Sequence, residues 1–381
     1  MVFDFLEPVE QEVTDVINTL SSQHLGKKIS FHTSKEFPNL EQVKLAFFGI
    51  YECRGTHEQT IDLIEFRKEF YALFPGNWEV SMADLGNLLP GRDLSDTYYA
   101  VTELVSTLLK MGIHPIIIGG SQDLTYPIYR SFDKLDQMVN LVGIDAKFDF
   151  GKDEVKHTAQ SYLSKMIINE PHNLFNFSNL GYQTYYNPQE EIDLMDKLYF
   201  DAYRLGDVTQ QLSLAEPVIR DADILSFDIT AVKSTENGST FNFMPNGFSG
   251  KEACVLARYS GLSEKLKVFS IFNISNNKQE SVLLSQMIWY FIEGFHFRRN
   301  ELPGVNQNNF VKFIVPVDDL ELIFVKSLQT DRWWMEVPNY HNLNNKAKRN
   351  ALLPCSHEEY LKACDQEIPE RWWKAQRKSI A

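Results

Sequence analysis

Five short apolar runs constrain this chain more than any other feature. They are Val43–Ile50, His114–Gly120, Val139–Ile144, Ile224–Ile229 and Val268–Ile274, and each lies between stretches of helical periodicity. Asp96–Lys110, for example, carries apolar residues at Ala100, Val101, Leu104, Leu108 and Leu109. Strands apolar along their whole length are buried on both faces, and their alternation with amphipathic helices predicts a mostly parallel sheet with helices on both sides. In such sheets, ligands bind beyond the carboxyl ends of the strands.

Shorter elements fill the rest of the pattern. Helices are expected over Glu10–His24, Ile61–Ala72, Leu124–Phe132, Ser161–Ile168, Ser249–Ser260 and Glu280–Phe295, with strands at Val80–Leu85, ending in a turn at Gly86, and at Asn179–Gln183. No repeat or low-complexity linker divides residues 1–300, which read as one α/β domain. Residues 301–381 form a carboxy-terminal extension of different character. It has a predicted hairpin of Phe310–Val315 and Leu320–Val325, an Asn-rich loop, and a final helix opened by a Ser356-x-x-Glu359 capping box. The paired tryptophans Trp333-Trp334 and Trp372-Trp373 are candidate partner contacts, weighed against pinning the extension to the core.

Charge and cysteine usage exclude several functions. A net charge of −14 over 381 residues repels phosphate backbones, so nucleic acid is not an expected partner. Four scattered cysteines fit a reducing compartment. No apolar run approaches the ~20 residues that span a bilayer, and Met1–Glu12 lacks the basic start of a signal peptide. A cytoplasmic protein is expected.

Three strand ends carry polar residues able to meet at one site: Gly119-Gly120-Ser121-Gln122-Asp123, Asp145-Ala146-Lys147-Phe148-Asp149 and Ser226-Phe227-Asp228-Ile229-Thr230. Their order, spacing and flanking strands resemble the ureohydrolase superfamily of arginase, agmatinase and formimidoylglutamase, over residues 43 to 295. The resemblance implies a three-layer arginase-like α/β fold. In that family the three motifs supply two histidines and four aspartates to two manganese ions, which activate water against a guanidinium or formimino carbon.

Carried over position by position, the six ligand positions fall on Gln122, Asp145, Lys147, Asp149, Asp228 and Thr230, so three keep a carboxylate. The family glutamate that holds the substrate's cationic group falls on Asn273. His157 lies in the loop where family members place a histidine. Hard cations need anionic oxygen or imidazole donors; one positive charge about 4 Å from another costs about 4 kcal/mol at an effective dielectric near 20, so a protonated Lys147 opposes a metal between Asp145 and Asp149. The expectation is therefore a vestigial site in which Lys147 salt-bridges the aspartates, with no metal cofactor and no catalytic residues.

On that reading the chain is a catalytically inactive relative acting through protein–protein contacts, as a homo-oligomer or with a partner. A pocket holding His157 and Asn273 leaves room for a small-molecule ligand. The alternative is a metal-dependent hydrolase of linear carbon–nitrogen bonds with a reduced manganese site on Asp145, Asp149 and Asp228.

Overall fold

The apolar runs assemble into one sheet of eight parallel strands in this computed structural model, which describes residues 2–56, 60–135, 137–151, 159–239, 243–299, 301, 303, 309–338 and 351–380. The strands are β1 (Leu45–Ile50), β2 (Met82–Leu88), β3 (His114–Gly119), β4 (Val139–Ile144), β5 (Leu174–Tyr182), β6 (Asp201–Arg204), β7 (Ile224–Asp228) and β8 (Val268–Phe272). Their spatial order is β2-β1-β3-β8-β7-β4-β5-β6. Two short segments extend the β2 edge: Leu6–Glu7 pairs antiparallel and Ser30–Phe31 parallel with it.

Alternation within each run explains why whole runs are apolar. Phe47, Ile116, Ile118, Val142, Ile144, Leu225, Phe227, Phe269 and Ile271 point into one core. Phe48, Ile117, Leu141, Ile224, Val268 and Phe272 point into the core on the opposite face. The first core is covered by α1 (Gln11–Thr19), α2 (Ile64–Tyr71), α4 (Gly250–Leu262) and α5 (Lys278–His296). The second is covered chiefly by α3 (Leu94–Lys110). Helix α3 starts at an Asp93/Asp96 capping box, buries Ala100, Val101, Leu104, Val105 and Leu108, and stops at Gly112, whose φ is +73°.

Helices α4 and α5 meet backbone to backbone at a pair of glycines. A Cβ on Gly261 would lie 2.1 Å from the Phe291 carbonyl oxygen, and one on Gly294 would lie 2.4 Å from that of Arg258. Gly261→Ala is expected to push the helices apart at a cost of about 1–3 kcal/mol, read as a lower urea midpoint; an unchanged midpoint would rule out this contact as a packing constraint.

One turn expectation is overturned. The second strand does not end before Gly86 but continues to Leu88. Leu6–Glu7 pairs with its distal end, and Gly86, at φ +84°, makes room for the Glu7 carbonyl oxygen, which a Cβ would meet at 1.9 Å. Another miss is β6, a short strand beside β5 that buries little beyond Asp201 and so carries no apolar run.

The extension forms a second, antiparallel sheet. Its strands are β9 (Phe310–Val317), β10 (Leu320–Ser327), β11 (Trp333–Val337) and β12 (Ala351–Cys355), followed by α6 (His357–Cys364) and α7 (Glu370–Ile380). The expected hairpin is β9–β10, turning at Asp318-Asp319. The Asn-rich loop lies outside the described residues. Ser356 and Glu359 form the expected capping box.

Three of the four paired tryptophans are buried inside this chain, which favours the pinning role weighed for them over partner contact. Trp333 stacks on Phe313, His357 and Tyr360. Trp334 packs under the buried Arg220 guanidinium, 4.5 Å from the ring centre. Arg220 also donates to the carbonyls of Trp333 and Cys355, which ties the extension to the core. Trp372 donates its indole N–H to the Glu336 carbonyl at 2.8 Å. Trp373 keeps an exposed face beside Tyr199 and Arg377. Among the described residues, no helix is long and apolar enough to cross a membrane.

Candidate functional site

Strands β3, β8, β7 and β4 are consecutive neighbours in the sheet. Their carboxyl ends carry Gln122, Asn273, Asp228 and Asp145, so residues up to 151 positions apart in sequence share one cavity of about 620 Å³. Lys147, Asp149 and Thr230 line it as well. The structure thus gathers all six positions singled out from the sequence, together with Asn273; His157 lies outside the described residues.

Asp145 and Asp228 are held by the same local device. Asp145 Oδ1 accepts from the backbone N–H of Lys147, and Asp228 Oδ1 from that of Thr230, both at 2.8 Å. Each carboxylate bonds the backbone two residues on, which pins it as the chain leaves the strand. Asp149 follows in a left-handed conformation, with φ of +59°. Asn273 is left-handed too, at +57°. Such backbone is uncommon outside glycine and best tolerated by Asp and Asn.

Three buried carboxylates line one cavity, and among the described residues none of them forms a salt bridge. Burial pushes Asp145 well above the usual carboxylate range, and the charges of Asp149 and Asp228 push it further. Asp149 rises to about 7, chiefly through burial; a hydrogen bond with Asp145 pulls it down and the Asp228 charge pushes it up. Asp228 is raised by burial, while hydrogen bonds from Thr230 and Asn273 pull the other way. While Asp145 and Asp149 are both ionised, no hydrogen bond from the described residues reaches the buried Asp145 Oδ2. An unpaired buried oxygen of this kind is costly unless something positive meets it.

Lys147 does not fill that role as expected. Its ammonium stands 5.9 Å from the centre of the Tyr186 ring, and among the described residues no salt bridge joins it to Asp145, Asp149 or Asp228. The side chain is half-buried and turned to the cavity wall. A charge over an aromatic face is an alternative resting place for an ammonium, and sequence alone could not choose between the two.

Gln122 and Asn273 satisfy each other. Asn273 Nδ2 donates to Gln122 Oε1 at 3.3 Å, and the Gln122 backbone N–H donates to Asn273 Oδ1 at 3.2 Å. Gln122 Nε2 stands 3.5 Å from the hydroxyl of buried Tyr162. Tyr162 was missed in the sequence because it sits on a separate helix with no motif around it. Burial, then the three aspartate charges, holds its hydroxyl well above the usual range. Also missed was the rim, where Arg54 and buried Glu52 pair directly. Burial favours the acid form of Glu52, but hydrogen bonds from Arg54 outweigh it and hold the carboxyl below its ordinary value.

Comparison with known proteins agrees with this geometry. The chain resembles Trypanosoma cruzi formiminoglutamase at 15% identity and a TM-score of 0.61, over 69% of this chain and 100% of that one. Thermoplasma volcanium agmatine ureohydrolase matches at 18% identity and 0.57, over 74% and 97%. Bacillus subtilis formimidoylglutamase matches at 12% and 0.59, over 70% and 94%. These likenesses establish a shared fold. No curated protein sequence matches significantly. The sequence model of the arginase family matches residues 58–275, the span from the loop after β1 to just beyond the end of β8, so the chain belongs to the arginase family.

Proposed function

We propose that this chain is a carbon–nitrogen hydrolase of the arginase family with a reduced site, in which Asp145, Asp149 and Asp228 take a single divalent cation. One observation carries the reading: among the described residues, Asp145 Oδ2 is buried without a donor beside two further buried carboxylates, and the Lys147 ammonium in the same cavity makes no salt bridge with them. The position of Lys147 removes the main argument for a site closed by its own salt bridges.

The donor set fits one ion and not two. Three carboxylates suit a hard cation such as manganese or magnesium. Gln122 and Thr230 bring no charge and Lys147 brings the wrong one, so the two-ion arrangement of the Trypanosoma cruzi formiminoglutamase solved with Mn2+2 has too few anionic ligands here. Among the described residues, no group of three His, Cys, Asp or Glu side chains stands ready to ligate an ion, so these carboxylates would have to close on it. A bound divalent cation would supply Lewis acidity and a more acidic water. The chain's own residues orient and enclose: Thr230 and Asn273 steady Asp228, while Met244 and Tyr186 wall the cavity with apolar surface. Substrates of the family type, such as arginine, agmatine and formiminoglutamate, are the compounds to test.

A second reading is the catalytically inactive binding or scaffold protein, acting through a protein partner or a second copy. The pairing of Gln122 with Asn273 favours it, because Asn273 already donates to the Gln122 amide oxygen, the atom that would have to ligate an ion. One experiment separates the two. Elemental analysis and manganese titration of the purified protein should find a single ion, lost in Asp228→Ala, and release of urea, ammonia or formamide from one of the three compounds. Absence of both metal uptake and product would leave the second reading.

A further inference from the structure

The cavity carries charges of both signs. Asp145, Asp149 and Asp228 stand at the strand ends, and among the described residues the other charged groups lining it are Arg54 and Lys147. Arg54 is already committed. Its Nε donates to Glu52 Oε1 at 2.8 Å, and its Nη1 and Nη2 donate to the carbonyls of Arg92 and Gly91, both at 3.1 Å. The Glu52 carboxylate neutralises its charge. Lys147 has no such partner. Its ammonium stands 5.9 Å from the centre of the Tyr186 ring and pairs with no carboxylate among the described residues. A ring face attracts an ammonium without neutralising it. From there the Lys147 charge still lowers the pKa values of Asp149 and Asp228, so it lies within electrostatic reach of the aspartates.

A compound matching this pattern places its carbon–nitrogen group at the aspartate end and an acidic group at Lys147. Its aliphatic middle has apolar surface to lie on, because Tyr186 and Phe243 line the same cavity and are both exposed. A second cationic group in its place would meet the like charge of Lys147. Beyond the three aspartates, no Asp or Glu among the described residues lines the cavity to receive one. We propose that Lys147 is a specificity residue: standing beside Tyr186, its ammonium holds the acidic group of the substrate and favours acid-bearing compounds over their decarboxylated counterparts. The inference rests on the reading of this cavity as the substrate site of a carbon–nitrogen hydrolase.

Arginine and agmatine test this directly, because they differ by one carboxylate. Full-length protein in manganese-containing buffer is titrated with each by calorimetry, and product release is followed in parallel. The unmodified protein should bind arginine about tenfold more tightly than agmatine, and formiminoglutamate should follow arginine. Lys147→Met should abolish the preference by weakening the acid-bearing compounds alone, whereas Lys147→Arg should keep it. An unchanged preference in Lys147→Met, or equal weakening of all three compounds, overturns the proposal and leaves the hydrolase standing if any of them is turned over. If Lys147→Met does not fold, the unmodified protein decides: no preference for arginine or formiminoglutamate over agmatine overturns the proposal. A preference lost in Lys147→Met without product release supports the contact and removes the hydrolase reading. Neither binding nor product with any of the three overturns both.

Discussion

Metal-free protein carrying Lys147→Met should become more stable at pH 8 when Asp149 is also replaced by Asn. Asp149 is raised to about 7 from an ordinary 3.8, first by burial, with the Asp228 charge adding to it. The folded value lies above the unfolded one, so the native state holds the proton more tightly. The associated stabilisation is complete below about pH 4 and is lost as pH rises through about 7. At pH 8 the fold carries the penalty of an ionised Asp149, on the order of 2–4 kcal/mol. Asn removes that charge, so the double variant should exceed Lys147→Met by about that amount at pH 8, and the gap should close towards pH 4. In the unmodified protein the Lys147 ammonium absorbs part of the effect, so the gain there should be smaller. Urea unfolding at several pH values measures this. A gap that stays constant with pH would mean that the three carboxylates are not in electrostatic conflict.

The second large effect lies near the edge of the sheet, at β2. Arg67 on α2 is completely buried and bridges β2 to the amino terminus. Its guanidinium bonds both oxygens of buried Asp84, at 2.8 and 3.1 Å, as well as Asn87 Oδ1 at 2.8 Å and the Gly86 carbonyl at 3.0 Å. Glu10 adds a further contact at 3.0 Å. Burial opposes its charge, but Asp84 more than compensates and holds its pKa above the ordinary arginine value. Arg67→Met would leave Asp84 ionised among apolar groups, with the Tyr71 hydroxyl as its main remaining side-chain donor. The expected loss is about 3–5 kcal/mol. Arg67→Met/Asp84→Leu should recover much of it, since the cost is an orphaned charge rather than a missing contact. Denaturant unfolding of the two variants decides this, and a double variant no better than the single one would assign the loss to packing.

Periodicity, net charge and motif order were enough for the parallel α/β sheet, the family resemblance, and the convergence of Asp145, Asp149 and Asp228. The reason is local: a strand buried on both faces must be apolar throughout, and a residue just past such a strand must lie at the sheet's carboxyl edge. Elements without that local signature escaped notice. Edge strand β6 buries too little to read as a strand, and β11 and β12 owe their strand character to each other across a long separation. The path of β2 through Gly86 depends on pairing with Leu6–Glu7, some eighty residues away.

The site divides in the same way. Sequence named its residues, but only the tertiary structure decided what each one touches. Whether Trp334 faces a partner or Arg220, and whether Gln122 faces a metal or Asn273, follows from packing between distant segments. Lys147 is the sharpest case. Its charge and place in the loop are written in the chain, but a flexible stem between a ring and a carboxylate cluster takes its direction from surroundings that exist only once the strands have come together.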